Sequence, residues 1–383
     1  MDFIDLKQQQ TRIRERLSQS IQAVLDHGQY IMGPEVKSLE ERLGTYVGAR
    51  HAIACSSGTD ALLMALMAYG VGVGDAVFTT PFTFVATAEV ISLLGATPVF
   101  VDIDPETFDI DPDKLAEAFV ALEQKHHDAS PLPVGYEKIN ARGVIPVDLF
   151  GQPADYDRIN AIASQRGLFV IEDAAQSFGA EYHGRKVCAL AEIAATSFFP
   201  AKPLGCYGDG GMVFTDDDAL AQRLISIRVH GSGTNKYDNV RLGINGRLDT
   251  LQAAILLAKF EIFPEEIERR QEVANRYAEL LGQSRMVKCP QVADGAKSSW
   301  AQYSLLCMHR EKIMAALKAR GIPSAVYYPI PLHLQGAYQY LGYQKGDFPV
   351  AERIAKAIFS LPMHPYLTEE DQRVIAETIL ANE

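Results

Sequence analysis

Residues 168–179 read LFVIEDAAQSFG, an unbroken apolar run that ends on two acids, Glu172 and Asp173. An apolar run without alternation is typical of a strand buried on both faces, as in a parallel sheet covered by helices. Asp173 falls at the carboxyl end of this strand, where open α/β sheets place their ligand crevices. The plain alternative for such an acid is a helix cap or a salt bridge, but Gln176 adds a second polar group nearby. The stretch therefore predicts an α/β fold with a ligand crevice beside Asp173.

Short β-branched runs alternate with helical segments on both sides of this stretch. The further runs lie at residues 51–57, 76–82, 97–104, 143–151, 193–199 and 210–217. Such alternation favours a mostly parallel sheet flanked by helices. We expect a large α/β domain with an N-terminal arm over residues 1–255 and a smaller α+β domain over residues 256–383. In the smaller domain, residues 300–307 and 324–333 are the predicted strands.

The composition predicts a globular protein and excludes several partners. Of the 383 residues, 48% are hydrophobic and 22% are charged, and the formal net charge is −12. This charge disfavours nucleic acid and anionic membranes as partners, and an anionic substrate would need a local cationic pocket. The five cysteines are too far apart for a CxxC metal site. Since we find no signal peptide or membrane-spanning run, we expect a cytoplasmic protein without a bound metal.

Residues 56–60, SSGTD, connect a predicted strand to a predicted helix. Amide groups at a helix N-terminus bind phosphate well. Gly58 would let the phosphate approach the backbone closely, and Thr59 would add a hydroxyl donor. Taken alone, the motif is more typical of a simple helix cap.

Lys202 lies between Pro200 and Pro203, after a predicted strand and before a cluster of glycines. Burial beside a crevice would lower its pKa and make its amine a nucleophile toward an aldehyde, although a solvated loop lysine is commoner. Combined with a phosphate cradle and Asp173, Lys202 completes the set that pyridoxal 5′-phosphate (PLP) requires. The lysine forms a Schiff base, and the carboxylate keeps the pyridine nitrogen protonated so that the ring withdraws electrons.

These motifs resemble those of the DegT/StrS-type PLP-dependent sugar-nucleotide aminotransferases of fold type I. The resemblance covers nearly the whole chain, in the segments FIDLK (3–7), GQYIMGPEV (28–36), SSGTDAL (56–62), FTFVATAE (82–89), EDAAQSFGA (172–180), TSFFPAKPLGCYGDGG (196–211), GINGRLDTLQAAIL (243–256) and YYPIPLHLQ (327–335). Within the family, the chain looks most like the UDP-2-acetamido-2-deoxy-3-oxo-glucuronate aminotransferases. These act in the biosynthesis of bacterial surface polysaccharide such as the lipopolysaccharide O-antigen.

The resemblance implies a role at the cofactor for several residues. Lys202 would hold PLP, Asp173 would pair with the pyridine nitrogen, and Gln176 would lie by the ring hydroxyl. The other implied cofactor contacts are Gly58, Thr59 and Ser197 at the phosphate and Phe84 on the ring face.

The resemblance also implies a shared site and a substrate. Asn245 would reach the phosphate from the neighbouring subunit, which predicts a homodimer, and Arg247, Tyr328 and His333 would lie on the substrate side. The expected reaction moves an amino group from L-glutamate to C3 of a UDP-linked 3-keto-N-acetyl sugar. We further expect Arg228 and Lys236 to line the approach, and residues 231–243 to close over the substrate.

Other functions are weighed against this one. Some family members carry histidine in place of the lysine and dehydrate or deoxygenate sugars, so Lys202 favours transamination. A 4-keto-6-deoxy nucleotide sugar stays open as the acceptor. A sugar-sensing regulator without turnover is disfavoured because a sensor has no use for the Asp173, Gln176 and Lys202 set. A nicotinamide-dependent oxidoreductase is excluded because no GxGxxG opens the first helix after a strand.

The polar segment 123–140 contains two prolines and no sustained period, which predicts a surface loop or insertion. It is longer than we expect for the family. The adjacent His126 and His127 on it are expected to be solvated rather than bound to a metal.

Overall fold

The computed structural model describes residues 1–126, 130–235 and 237–382. Its strands, in chain order, are β1 (His51–Cys55), β2 (Asp75–Thr79), β3 (Thr97–Phe100), β4 (Asn140–Val144), β5 (Phe169–Asp173), β6 (Glu181–Tyr182), β7 (Arg185–Lys186), β8 (Ile193–Ser197), β9 (Gly211–Thr215), β10 (Ala296–Lys297), β11 (Tyr303–Leu306) and β12 (Ile358–Leu361). Its α-helices are α1 (Leu6–Arg12), α2 (Arg14–His27), α3 (Pro34–Val47), α4 (Gly58–Ala68), α5 (Ala86–Leu93), α6 (Pro112–Gln124), α7 (Tyr156–Ser164), α8 (Asp218–Arg228), α9 (Thr250–Phe260), α10 (Phe263–Leu281), α11 (Arg310–Ala319), α12 (Pro349–Ala357) and α13 (Glu369–Leu380).

A seven-stranded sheet forms the centre of the large unit, in the order β1-β9-β8-β5-β4-β2-β3. Only β9 runs against its neighbours, since it pairs antiparallel with both β1 and β8. The other neighbouring pairs are parallel. The predicted α/β class with a mostly parallel sheet is confirmed, and β5 lies near the middle of that sheet.

Helices cover both faces of the sheet because successive strand residues point to opposite sides. On one face, Phe214 and its neighbours pack with apolar residues of α3, α6 and α7. On the other face, Val213 and its neighbours pack with α4, α5 and α8. Every residue of β5 is buried, as its unalternating apolar pattern predicted. This burial fixes the strand end that carries Asp173.

The smaller unit contains a two-stranded antiparallel sheet of β11 and β12. Its core includes side chains from the second half of α10 and from α11 and α13. The prediction of a strand over residues 324–333 is wrong: this segment forms one isolated bridge, Ala325 with Ser360. Two prolines, Pro329 and Pro331, interrupt the segment, and proline removes the amide that a ladder needs. The strand that pairs with β11 is β12, which the pattern analysis did not single out.

Residues 248–282 contain two helices, α9 and α10. Helix α9 packs against α2 and α3, and α10 begins in the core of the large unit and ends in that of the smaller one. The predicted boundary after residue 255 falls inside α9, so the division into 1–255 and 256–383 stays a prediction.

In the part that the structure describes, most of the segment 123–140 is a loop that connects α6 to β4. Helix α6 ends at Gln124, a single 3₁₀ turn spans Tyr136–Lys138, and β4 begins at Asn140. Of the histidine pair, His127 lies outside the described residues, and the solvation of the pair stays a prediction. Among the residues described, no helix is both long and apolar enough to cross a membrane. Within the same ranges, no group of three or more potential ligands is placed to hold a metal ion.

Candidate active site

Asp173 is the last residue of β5, and its carboxyl group is held by two donors. One oxygen accepts a hydrogen bond from the Thr87 hydroxyl at 2.8 Å, and the other accepts from the Ala175 amide at 3.2 Å. Burial raises the pKa of Asp173, whereas these two hydrogen bonds and the charge of Lys202 act in the opposite direction. The carboxyl group is therefore fixed in orientation and lies within electrostatic reach of Lys202.

Lys202 lies on the connection between β8 and β9. Its amide donates to the Phe199 carbonyl at 2.9 Å, and the Cys206 amide donates to the Phe198 carbonyl at 2.8 Å, so the loop folds back on the end of β8. Burial lowers the pKa of Lys202 to about 8, while the charge of Asp173 acts in the opposite direction. A larger fraction of the amine is neutral near pH 7 as a result, and the neutral amine is the form that attacks an aldehyde.

Gln176 is buried and bonded at both ends of its amide. Its Oε1 accepts from the Phe150 amide at 2.8 Å, and its Nε2 donates to the Tyr328 hydroxyl at 3.1 Å. Burial raises the pKa of Tyr328, so its hydroxyl keeps its proton. The ring of Phe84 lies 6.5 Å from that of Tyr328, centroid to centroid, and Phe84 is 54% exposed. The structure thus places an exposed aromatic ring beside the polar Gln176–Tyr328 pair.

The start of α4 and the end of β8 form the predicted phosphate cradle. Ser57 caps the helix by accepting a hydrogen bond from the Asp60 amide at 3.0 Å. The amides of Gly58 and Thr59 belong to the same first turn, where a helix offers donors to an anion. A Cβ at Gly58 would lie only 2.6 Å from the Cβ of Ser197. Glycine is therefore required for the Ser197 side chain to lie against this helix N-terminus.

Asn245 and Arg247 lie on a segment that borders the cradle of their own chain. The carbonyl of Gly246, between them, accepts a hydrogen bond from the Ser56 amide at 3.0 Å. Asn245 is exposed. Nε of Arg247 is buried and has no hydrogen-bond partner among the residues described. An exposed amide and an unpaired guanidinium nitrogen are both able to bind an anion.

Two of the basic residues expected near the substrate have structural partners instead. His333 is 1% exposed, and its Nε2 lies 3.1 Å from Glu352. These are the surroundings of a core residue, and a substrate contact by His333 stays a prediction. The expectation that Arg228 lines the approach is wrong, because its buried guanidinium donates to Glu40 and to the Ala54 carbonyl. Lys236 lies outside the described residues.

Two residues beside Asp173 were missed in the sequence. Thr87 lies in the segment FTFVATAE, but nothing in that pattern distinguishes it. The Asp148 amide donates to the Asp173 carbonyl at 3.1 Å, and burial raises the pKa of the Asp148 carboxyl to about 7. Asp148 follows an apolar run, as Asp173 does. An acid directly after a strand pattern was therefore a usable signal for both.

Residues 11–380 match the DegT/DnrJ/EryC1/StrS aminotransferase family. The chain belongs to this family. It is 50% identical to UDP-2-acetamido-2-deoxy-3-oxo-D-glucuronate aminotransferase of Pseudomonas aeruginosa, over 99% of each chain. It is 44% identical to a pleiotropic regulatory protein of Geobacillus stearothermophilus, over 98% of this chain and 97% of that one.

Solved structures of family members have the same fold. A DegT/DnrJ/EryC1/StrS aminotransferase from Brucella abortus superposes with a TM-score of 0.94 at 50% identity, covering 99% of this chain and 98% of that one. A Bacillus subtilis protein with bound cofactor PMP superposes with a TM-score of 0.84 at 30% identity, covering 99% and 83% of the two chains. The prediction of a PLP-dependent aminotransferase of this family is confirmed.

The residues at this site fit PLP. Lys202 offers a buried amine with a lowered pKa, and Asp173 offers a carboxylate held in one orientation. Glycine at position 58 lets Ser197 lie against the start of α4, which brings a hydroxyl and helix N-terminal amides together as donors for a phosphate. An amine, an acid and an anion cradle are the three groups that this cofactor needs from a protein.

Proposed function

We propose that this protein transfers the amino group of L-glutamate to C3 of a UDP-linked 3-keto-N-acetyl sugar. The specific acceptor we infer is UDP-2-acetamido-2-deoxy-3-oxo-glucuronate, in the cytoplasmic biosynthesis of a bacterial surface polysaccharide such as the lipopolysaccharide O-antigen. The 50% identity to the Pseudomonas aeruginosa relative over nearly all of both chains carries this proposal.

The chain's own residues divide the chemistry between them. When bound, PLP supplies an aldehyde and an electron-withdrawing ring. Lys202 binds the aldehyde and, as a free amine, is the base that moves the proton of the amine-bearing carbon. Asp173 holds a proton on the ring nitrogen, and Thr87 and Ala175 keep its carboxyl group in place. Gln176, fixed by its hydrogen bond to the Tyr328 hydroxyl, would lie by the ring hydroxyl.

The substrate proposal also has to explain how an acidic protein binds a diphosphate. The net charge of −12 repels an anion at long range. Nε of Arg247, buried and without a partner among the described residues, offers a charged donor close to the cradle. A hydrogen bond from a guanidinium to a phosphate or carboxylate is stronger than a neutral one. We therefore assign Arg247 to the anionic part of the sugar nucleotide.

The role of Lys202 is tested first on the purified protein. It should absorb visible light as isolated, and L-glutamate should shift this absorbance by converting the cofactor to its amine form. Borohydride should remove the colour and leave a mass label on the Lys202 peptide. Lys202→Ala should fold but be inactive, whereas the control Lys186→Ala, a half-buried lysine paired with Glu181, should keep its colour. A fully active Lys202→Ala protein would refute the mechanism.

The acceptor is tested by steady-state kinetics with two nucleotide sugars. A reaction in two halves, glutamate first and sugar second, should give parallel double-reciprocal lines. Arg247→Ala should raise KM for the sugar nucleotide more than KM for glutamate. If a 4-keto-6-deoxy nucleotide sugar is a much better acceptor than the 3-keto uronate, the proposed substrate is wrong and the transaminase activity stands.

We also infer a homodimer whose sites are completed across the interface. Supporting it, Asn245 is exposed at the edge of the cradle, and Leu242 nearby is a large apolar residue that is 89% exposed. Mixing the inactive Lys202→Ala protein with an inactive Asn245→Ala protein should restore part of the activity, because some heterodimers contain one intact site. No recovery in verified heterodimers means that Asn245 serves its own chain.

A regulator without turnover is the second candidate, because the Geobacillus stearothermophilus relative carries a regulatory name. The absorbance change with L-glutamate separates the two functions. A sensor would bind the sugar nucleotide and leave the cofactor unchanged, whereas a transaminase converts it within one turnover.

A further inference from the structure

Lys259, on α9, is a charged residue in the interior of the protein. It is 1% exposed, and its Nζ donates to the Gly205 carbonyl at 2.6 Å and lies 4.3 Å from the centroid of the Tyr207 ring. Among the described residues no carboxylate hydrogen-bonds it, and burial lowers its pKa to about 8. A buried ammonium is costly unless its surroundings offset the lost hydration. Here a carbonyl and an aromatic face contact the amine directly, and the charge of Glu266 also opposes the effect of burial on its pKa.

Both contacts of Lys259 fall on the loop that carries Lys202. Gly205 and Tyr207 are the third and fifth residues after Lys202. The loop is tight, because a Cβ at Gly205 would lie 2.5 Å from the Pro200 carbonyl oxygen. The Cys206 amide next to Gly205 closes the loop onto Phe198. The position of the Gly205 carbonyl therefore constrains the backbone of Lys202.

Helix α9 holds this loop at a second point, through the side chain of Gln252. Its Oε1 accepts from the Tyr207 amide at 2.9 Å, and its Nε2 donates to the Tyr207 carbonyl at 3.4 Å. Tyr207 also packs against an apolar cluster that contains Ile13, Leu17 from α2 and Ile255 from α9. The loop thus rests on a packed helix layer, and Lys259 supplies the contact nearest to Lys202 in sequence.

We propose that Lys259 is a positioning residue for Lys202, acting through the Gly205 carbonyl and the Tyr207 ring. The inference rests on the role of Lys202 in the proposed function. A methionine at position 259 would fill similar space but leave the Gly205 carbonyl buried without its donor. The loop would then sample other conformations, and the Lys202 amine would meet the cofactor aldehyde and the substrate proton in a less uniform geometry.

The test compares Lys259→Met and Lys259→Arg with the control Lys186→Met. Lys186 is a half-buried lysine that also lies beside an aromatic ring, 4.9 Å from the centroid of Tyr46, and it is hydrogen-bonded to Glu181. Neither of these two partners belongs to the Lys202 loop. Hydrogen exchange of the Lys202 and Cys206 amides is measured in the PLP-loaded proteins, together with kcat, KM and the melting temperature.

In Lys259→Met the two amides should exchange about 10- to 100-fold faster, since a hydrogen bond to a charged group is lost. The same variant should lose about 100-fold in kcat, the effect of a small misplacement of a reacting group, with little change in KM for glutamate. Lys259→Arg keeps the charge and a donor and should recover most of the slow exchange. Lys186→Met should change the melting temperature alone.

Equal exchange rates at positions 202 and 206 in Lys259→Met and Lys186→Met would overturn the proposal, whatever their activities. A loss of melting temperature without faster loop exchange would overturn it too, because Lys259 would then be structural only. If Lys259→Met does not fold, Lys259→Gln enters the same comparison. Exchange needs no substrate, so this result is independent of a failure of the proposed function, which Lys202→Ala reveals separately.

Discussion

Replacing Lys202 by methionine should abolish activity and yet stabilise the cofactor-free protein. Burial lowers the pKa of Lys202 from its ordinary 10.5 to about 8. At 1.36 kcal/mol for each pKa unit, keeping this amine charged in the folded protein costs about 3 kcal/mol below pH 8. This is an upper value, since the side chain is not completely enclosed. Lys202→Met removes the charge, keeps most of the apolar stem, and should raise the free energy of unfolding by up to about 3 kcal/mol at pH 7.

The pH dependence identifies the cause of this stabilisation. The unfolded chain keeps the Lys202 proton up to about pH 10.5, whereas the folded protein releases it near pH 8. Between these values the unfolded state binds more protons, so the wild-type protein gains stability as the pH rises and its difference from Lys202→Met should shrink.

The assay is urea unfolding of both cofactor-free proteins at one protein concentration, at pH 7 and pH 10. Lys186→Met serves as the control: Glu181 and Tyr46 raise the pKa of Lys186 against the effect of burial, so this variant should gain nothing at pH 7. The reasoning is refuted if Lys202→Met is no more stable than the wild type at pH 7, or if its advantage is the same at pH 10.

Three further substitutions probe the surroundings of Lys202. Asp173→Asn should retain some cofactor but lose about 100-fold or more in kcat, measured with saturating glutamate, because an uncharged partner no longer favours the protonated ring nitrogen; near-normal turnover would make Asp173 structural. Gly58→Ala should weaken cofactor binding about tenfold or more in a spectroscopic titration, since its Cβ meets Ser197 at 2.6 Å, whereas Gly336→Ala, with open space around it, should bind normally. Burial raises the pKa of Asp148 to about 7, so the folded protein holds a proton that the unfolded chain releases near pH 4, and wild-type stability should fall as the pH rises between these values. Asp148→Asn should flatten this part of the urea-unfolding pH profile, and an unchanged profile contradicts the assignment.

The strands of the large sheet were predictable because burial on both faces leaves a direct mark on the sequence. An unalternating run such as residues 168–171 has no other simple explanation. The reversed direction of β9 leaves no such mark, because both parallel and antiparallel strands in the middle of a sheet are apolar. Strand β12 was missed for a related reason, since its four residues directly follow α12 and continue its apolar pattern.

The residues of the candidate site were predictable where the neighbouring sequence itself indicates a reactive position. Asp173 and Lys202 were singled out by a strand end and a proline-bounded loop, and the structure brings them within electrostatic reach. Thr87 and Lys259 act through contacts with residues 86 and 54 positions away along the chain. A contact at that separation is decided by the packing of the whole sheet, so local pattern contains no signal for it.

The buried ionisable groups of this protein fall into two kinds, according to what offsets their burial. In the first kind a basic side chain is paired with an acidic one, as His333 is with Glu352 and Arg228 is with Glu40. In each pair a hydrogen bond between the two side chains offsets part of the cost of burial. The pKa of Lys202 is lowered and that of Asp173 is raised because burial outweighs their mutual attraction. That imbalance is the condition for a nucleophilic amine at neutral pH, and a bound cofactor that takes up both groups would relieve it. Lys259 differs from the paired residues because the two groups in direct contact with its amine, the Gly205 carbonyl and the Tyr207 ring, belong to the Lys202 loop itself.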